Sequence, residues 1–168
     1  MKFLEQLLHY YQLTREDYEV LTKPVTFASL PSPFHFQGME KVVERIQKAI
    51  DQKEKIVIYG DYDCDGVMAT AILVHTFNLL NYPVGYYLPS RYLDGYGLNE
   101  KMVEAFHQKD YRLIITVDNG VSQHVAINKA LDYGIETIVT DHHQLPETLP
   151  PAYAILHPTY SNYGETIT

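Results

Sequence analysis

Between residues 39 and 50 the apolar side chains fall at Met39, Val42, Val43, Ile46, Ala49 and Ile50, with charged residues between them. That three-to-four spacing predicts one amphipathic helix. The period then changes. Short apolar runs occupy residues 56–59, 84–88, 113–117, 135–139 and 152–156, and segments of helical length lie between them at 67–80, 99–107 and 122–133. Runs of that length, rich in Ile, Val and Tyr, predict strands, and Gly134 marks the stop of the last helix. Strands alternating with helices of this length predict a parallel sheet covered on both faces. The expected fold class is α/β, a doubly wound and mainly parallel sheet with helices on both faces.

Ahead of residue 39 the pattern is weaker. Phe3, Leu4, Leu7 and Leu8 predict a short helix, followed by a polar segment to about Lys23. Residues 23–33 carry Pro24, Pro31 and Pro33, which a regular helix does not tolerate. The expected organisation is therefore an N-terminal helix and proline-rich lead-in over 1–38, an α/β domain over 39–158, and a polar tail over 159–168.

Composition narrows the class without naming a function. The chain has 168 residues, of which 46% are hydrophobic and 20% charged, enough for one domain with a real core and too ordered a mixture for wholesale disorder. Its single cysteine, Cys64, has no intramolecular partner, which fits a reducing compartment. Lys2, Glu5 and Gln6 interrupt the opening run, so it lacks the apolar core of a secretory signal. No apolar stretch approaches the roughly 20 residues that cross a bilayer. A cytoplasmic protein without a membrane partner is expected. The formal net charge of -8 argues by itself against nucleic-acid binding. Acids that converge on divalent cations do not repel a phosphate in this way, because the ions reverse the local field.

Candidate chemistry lies at the strand ends. Residues 56–59 run into Gly60-Asp61-Tyr62-Asp63-Cys64-Asp65-Gly66, with acids at alternate positions. Residues 113–117 run into Asp118-Asn119-Gly120, and residues 135–139 into Thr140-Asp141-His142-His143. In an open parallel sheet the functional crevice lies beyond the carboxyl ends of the strands, so three ends deliver Asp and His to one edge. Carboxylates and imidazoles without a thiolate set suit a hard or borderline divalent ion such as manganese or magnesium. Each piece has a plainer explanation taken singly. Asp-Gly and Asn-Gly are ordinary turn formers, and Asp61 would serve equally as the N-cap of the following helix. Their joint occurrence at three successive strand ends is what favours a metal site, and metal-assisted phosphate-ester hydrolysis is the chemistry that needs one. A carboxylate shared by two ions would come from a middle strand, which points to Asp118.

The same segments resemble the DHH phosphoesterase family in its RecJ form. Val57 through Gly66 is similar to the first motif of that family, Asp118-Asn119-Gly120 to the second, and Asp141-His142-His143 to the third. Pro33-Phe34 with residues 39–54 resembles the RecJ lead-in. The loop from Leu88 to Asn99 resembles the RecJ loop P-x-R-x-x-x-G-Y-G, and Leu149 to Pro158 the segment after the third motif. The resemblance covers residues 24–158. It implies that Asp63, Asp65, Asp118 and His142 are metal ligands for Mn2+ or Mg2+, with two ions in the complete enzyme. Asp61 and His143 would be their close partners, His143 suited to the scissile phosphate, and Asp141 would orient a ligating histidine. Arg91, Tyr96 and Asn99 would border the substrate, with Arg91 matching phosphate and Tyr96 offering a stacking face; a plain glycine-rich turn is the competing explanation for that loop.

The activity so implied is 5′-to-3′ degradation of single-stranded DNA in repair and recombination, with DNA-repair or replication proteins as further partners. Complete members carry a further Asp motif and a second domain, neither of which occurs before Thr168. The chain is therefore expected to be an N-terminal part with little activity alone. Two other functions stay open: a DHH phosphoesterase acting on short oligonucleotides or nucleotide phosphates, and a non-catalytic binding module of the same fold. Small-substrate members usually begin the first motif with His, where this chain has Tyr59, and intact acids in all three motifs count against a non-catalytic module.

Overall fold

The computed structural model describes residues 3–24, 26, 30–93 and 95–161 and divides the chain into two compact units, Met1–Ser32 and Pro33–Thr168. The first unit holds α1 (Phe3–Tyr10) and α2 (Arg15–Leu21). The hydrophobic pattern predicts the first helix and leaves the second as a polar segment. No residue of α2 is buried, so it has no apolar stripe to read. It forms instead on a capping box. The Thr14 hydroxyl accepts from the Asp17 N–H at 3.1 Å, and the Asp17 carboxylate accepts from the Thr14 N–H at 2.7 Å. Residues 25 and 27–29 of the expected connector, and residues 162–168 of the expected tail, lie outside the described residues.

The second unit follows the alternation read from the hydrophobic runs. Its elements are α3 (Met39–Asp51), β1 (Lys55–Tyr59), α4 (Cys64–Leu79), β2 (Gly85–Tyr87), α5 (Glu100–Gln108), β3 (Tyr111–Val117), α6 (His124–Asp132), β4 (Glu136–Thr140) and β5 (Ala154–Leu156). All four strand pairs are parallel, and the strand order is β2-β1-β3-β4-β5. This is the doubly wound arrangement, and its order reverses between β1 and β3.

Side chains along each central strand alternate between the two faces of the sheet and are buried on both. Val57, Tyr59, Ile114 and Val139 pack with Val103 and Phe106 of α5 and Ala126, Ile127 and Ala130 of α6. Ile56, Ile58, Leu113, Ile115 and Ile138 pack on the other face with Val42 and Ala49 of α3 and Phe77 of α4. Being covered on both sides makes these strands continuous apolar runs rather than alternating ones. Arg45 of α3, 4% exposed, brings a charge into this packing. It pairs with Glu136 at the start of β4 and, at 2.7 Å, with Glu54 ahead of β1, so the buried guanidinium is held between two carboxylates.

Element boundaries differ from the hydrophobic pattern where polar residues are carried into regular structure. β3 starts at Tyr111 because that residue pairs with Lys55. α4 starts at Cys64, three residues ahead of its apolar run, because Asp63 caps it. No helix among the described residues is long and apolar enough to cross a membrane.

Candidate metal centre

β1 ends at Tyr59 and the chain turns through Gly60 and Asp61 into α4. Asp63, not Asp61, is the N-cap: its Oδ1 accepts from the N–H groups of Asp65 at 3.0 Å and Gly66 at 3.1 Å. Gly66 is required by proximity. A Cβ there would sit 2.5 Å from the Asp61 nitrogen and 2.6 Å from the Asp61 Cβ, so the first turn of α4 rests directly on the Asp61 backbone. Asp61 is thereby 2% exposed, and its Oδ1 is buried without a hydrogen-bond partner among the described residues.

β3 ends in Asp118, which adopts a left-handed backbone with φ of 63°. Aspartate tolerates that region better than most residues. The Asp118 N–H donates to the Thr140 carbonyl at 2.9 Å, fixing the turn against the end of β4. Asn119, fully buried, donates from Nδ2 to the carbonyls of Tyr59 at 3.3 Å, Gly60 at 3.1 Å and Val117 at 2.9 Å. One side chain thus ties the ends of β1 and β3 together across the switch point. Its sequence signal is a plain turn, and only its neighbours in space show the larger task.

Beyond β4, Asp141 organises the third motif. Its Oδ1 accepts from the N–H of His142 at 2.7 Å, the N–H of His143 at 3.0 Å and the His143 Nδ1–H at 2.7 Å, while Oδ2 accepts from the Val121 N–H at 3.0 Å. This leaves the Nε2 of His142 3.1 Å from Asp118 Oδ1. The Tyr96 hydroxyl lies 3.1 Å and 3.3 Å from the two ring nitrogens of His143 and 3.4 Å from the Asp118 carbonyl. His157, which nothing in the sequence singles out, contacts the carbonyl of His143 at 2.8 Å.

Two overlapping groups of candidate donor atoms result, Asp61 with Asp63 and Asp118, and Asp118 with His142 and His143. Within each group the atoms lie no more than 4.8 Å apart. Asp118 belongs to both, and its Oδ2, like Asp61 Oδ1, is buried without a partner among the described residues. Asp65 and Asp141 fall outside both groups. Asp65 is exposed on the first turn of α4, and Asp141 is saturated by its four N–H contacts. Arg91 is exposed, its guanidinium 5.6 Å from the centroid of the Tyr62 ring. Asn99 caps α5, its Oδ1 accepting from the Met102 N–H at 3.0 Å. Asp94 of the same loop lies outside the described residues.

The electrostatics follow from burial and crowding. Burial pushes the Asp61 carboxyl above its usual range, and the charges of Asp63 and Asp141 add to this. Burial likewise raises Asp118, and the charge of Asp63 reinforces it. The Gly66 N–H holds exposed Asp63 below the ordinary value. For Asp141 burial opposes ionisation, but the N–H groups of Val121 and His143 and the His143 ring outweigh it and lower the group. Burial alone would lower His143; its bond to Asp141 and the charges of Asp141, Asp118 and Asp61 raise it. The Tyr96 hydroxyl is pushed well above the ordinary tyrosine value, first by burial and then by these acids. Crowded carboxylates with unpartnered buried oxygens fit a divalent cation, and oxygen with imidazole nitrogen suits a hard or borderline one.

Comparison with known proteins agrees with this geometry. The family model "DHH family, N-terminal domain" matches residues 55–168. The single-stranded-DNA-specific exonuclease RecJ of Bacillus subtilis is 42% identical over 131 residues, 78% of this chain and 17% of that protein. RecJ of Haemophilus influenzae is 41% identical over 140 residues, 83% of this chain and 24% of that protein. The chain thus spans only about a fifth of the length of such curated relatives. A crystal structure of exonuclease RecJ bound to manganese superposes with a TM-score of 0.71 at 32% identity, covering 86% of this chain and 35% of that one. RecJ from Thermus thermophilus in complex with Mn2+ gives 0.66 at 31% identity, covering 85% and 19%. CDC45 from Entamoeba histolytica, at 0.52 and 15% identity, shares the fold. With the family model spanning most of the chain and its three motifs gathered at the carboxyl edge of one parallel sheet, the chain belongs to the DHH family and carries that family's N-terminal domain.

Proposed function

We propose that this domain binds divalent manganese and hydrolyses phosphodiester bonds, as part of a RecJ-like exonuclease acting on single-stranded DNA from its 5′ end in repair and recombination. The observation that carries the reading is the convergence of Asp61, Asp63, Asp118 and His142 at the switch point, with carboxylate oxygens of Asp61 and Asp118 buried and unpartnered. Asp118, common to both donor groups, is the residue to bridge two ions. Asp65 enters the ligand set on the strength of the family resemblance alone. Bound divalent ions would supply charge neutralisation at the phosphate oxygens and a lowered pKa for water.

The protein's own groups do the rest. Asp141 fixes His143 through Nδ1, so that Nε2, 3.3 Å from the Tyr96 hydroxyl, is the ring nitrogen to meet a phosphate oxygen in place of that contact, and the raised pKa of His143 keeps the ring a cation over a wider range. Arg91, stacked over Tyr62 beside Asp61, offers a second cation for the phosphodiester backbone. Tyr59 favours this reading over a small-substrate phosphoesterase. It stands where small-substrate members usually carry His, and it is wholly buried with its hydroxyl donating to the Gly97 carbonyl at 3.0 Å. A cytoplasmic location fits a substrate of this kind.

Calorimetric titration of manganese into this chain and its Asp118→Asn variant tests the site. Binding by the parent, weakened at least a hundredfold in the variant, is expected; equal binding, or none in either, overturns the metal reading. Strand preference and polarity are read from end-labelled single-stranded and duplex oligonucleotides treated with the natural gene product.

A further inference from the structure

His157 lies just past β5, 4% exposed, sixteen residues along the chain from Asp141. Its two ring nitrogens have different partners. The Thr159 N–H donates to Nδ1 at 3.2 Å, so Nδ1 is the unprotonated nitrogen. Nε2 therefore carries the hydrogen and donates to the His143 carbonyl at 2.8 Å. Among the described residues the backbone of the Asp141-His142-His143 tripeptide is otherwise held from its N–H side, by the Asp141 carboxylate, and at its start by the Asp141 N–H bond to the Leu156 carbonyl at 3.2 Å. Among the described residues, His157 supplies the one hydrogen bond to the His143 carbonyl. A buried ring with both nitrogens engaged is ordinarily a structural cap. Here only one of the two bonds caps the 3₁₀ turn Pro158–Tyr160, and the other reaches the third motif.

We infer that His157 is a positioning residue for the metal centre: its Nε2–H clamps the His143 carbonyl and so fixes the direction in which His142 and His143 leave the backbone. The inference rests on the metal reading above for its consequence and on the hydrogen bonds alone for its geometry. Groups that orient a metal site from behind typically change metal affinity about 10- to 100-fold when removed.

Two substitutions separate the tasks. His157→Asn places its amide oxygen near the position of Nδ1, keeping the acceptor for Thr159 and losing the donor to His143. His157→Gln extends its amide nitrogen to the position of Nε2, keeping the donor to His143 and losing the cap. Amide hydrogen exchange at residues 142–144 and manganese affinity are measured for the parent and both variants, with melting temperature followed alongside. Faster exchange at 142–144 and roughly tenfold or more weaker manganese binding in His157→Asn, with His157→Gln close to the parent in both, is the expected result. Equal exchange in the two variants, or losses that simply follow melting temperature, would overturn the clamp. Should the parent bind no manganese, the metal reading falls, and the exchange comparison still decides the clamp.

Discussion

Replacing Asp141 by asparagine removes one charge and turns one carboxylate oxygen into a donor. In the parent that side chain, 1% exposed, accepts from four N–H groups. An asparagine that keeps its oxygen toward His142 and His143 turns its NH2 toward the Val121 N–H, leaving a buried donor unsatisfied at a cost of about 1–3 kcal/mol. The contacts that remain become neutral ones, each worth roughly 1 kcal/mol less than a charge-assisted bond. The His143 side chain is 45% exposed, so solvent discounts its share. A net loss of about 3–5 kcal/mol is expected, a large part of the roughly 5–15 kcal/mol that holds a domain together.

The pH dependence has a definite sign. Asp141 is lowered, so its contribution is present above the unfolded value of about 3.9 and lost as pH falls through the folded one. His143 is raised, so its contribution is complete below about 6.5 and lost as pH rises through its folded value. The stability difference between parent and Asp141→Asn should therefore be widest between about pH 4 and 6.5. Urea unfolding of the metal-free chains at a series of pH values measures it. A difference under about 1 kcal/mol at pH 5.5, or one that grows from pH 6 to 8, would refute the account of Asp141 as the organiser of the third motif.

Asp118→Asn should stabilise the metal-free chain at neutral pH, because a carboxyl whose folded pKa is raised costs stability wherever it is ionised. The gain should shrink as pH falls toward the carboxylate range, and asparagine suits the left-handed backbone equally well. Manganese at a hundred times the parent's dissociation constant should reverse the order, adding about 2.7 kcal/mol to the parent and at most about 0.4 kcal/mol to the variant, as read by thermal melting with and without metal. Gly66→Ala meets the Asp61 backbone at 2.5 Å, and no flexible side-chain end is there to move aside. Despite alanine's helix propensity, a loss of about 1–3 kcal/mol in urea unfolding is expected, with manganese binding weakened more than tenfold; unchanged values in both assays would show that this close approach does not set the site.

The elements and the family were legible in the residues because each rests on local information. Tyr59, Ile114 and Val139 sit in runs whose length and alternation with helices already specify buried parallel strands, and Asp118, His142 and His143 stand at the ends of those runs. Where stability came from a cap rather than from apolar burial, as with Thr14 and Asp17 in α2, hydrophobic periodicity had nothing to report. Asp61 was legible as a possible N-cap of α4 because aspartate caps helices, and only the backbone path past Gly66 gives that task to Asp63 and buries Asp61 instead.

What the tertiary structure alone decided is how distant turns meet. The strand order brings the ends of β1 and β3 side by side, which no periodicity encodes, because order depends on which face each crossover takes. Asn119 then ties Tyr59 and Gly60 to Val117, and His157 reaches His143 across the third motif. A hydrogen bond between residues sixty positions apart leaves no trace in the spacing of either one. The chain's own pattern therefore determined that acids and histidines would be delivered to one edge of a parallel sheet. The packed fold determined which of their oxygens would be buried together without a partner, because burial is a property of neighbours in space and not of neighbours in sequence.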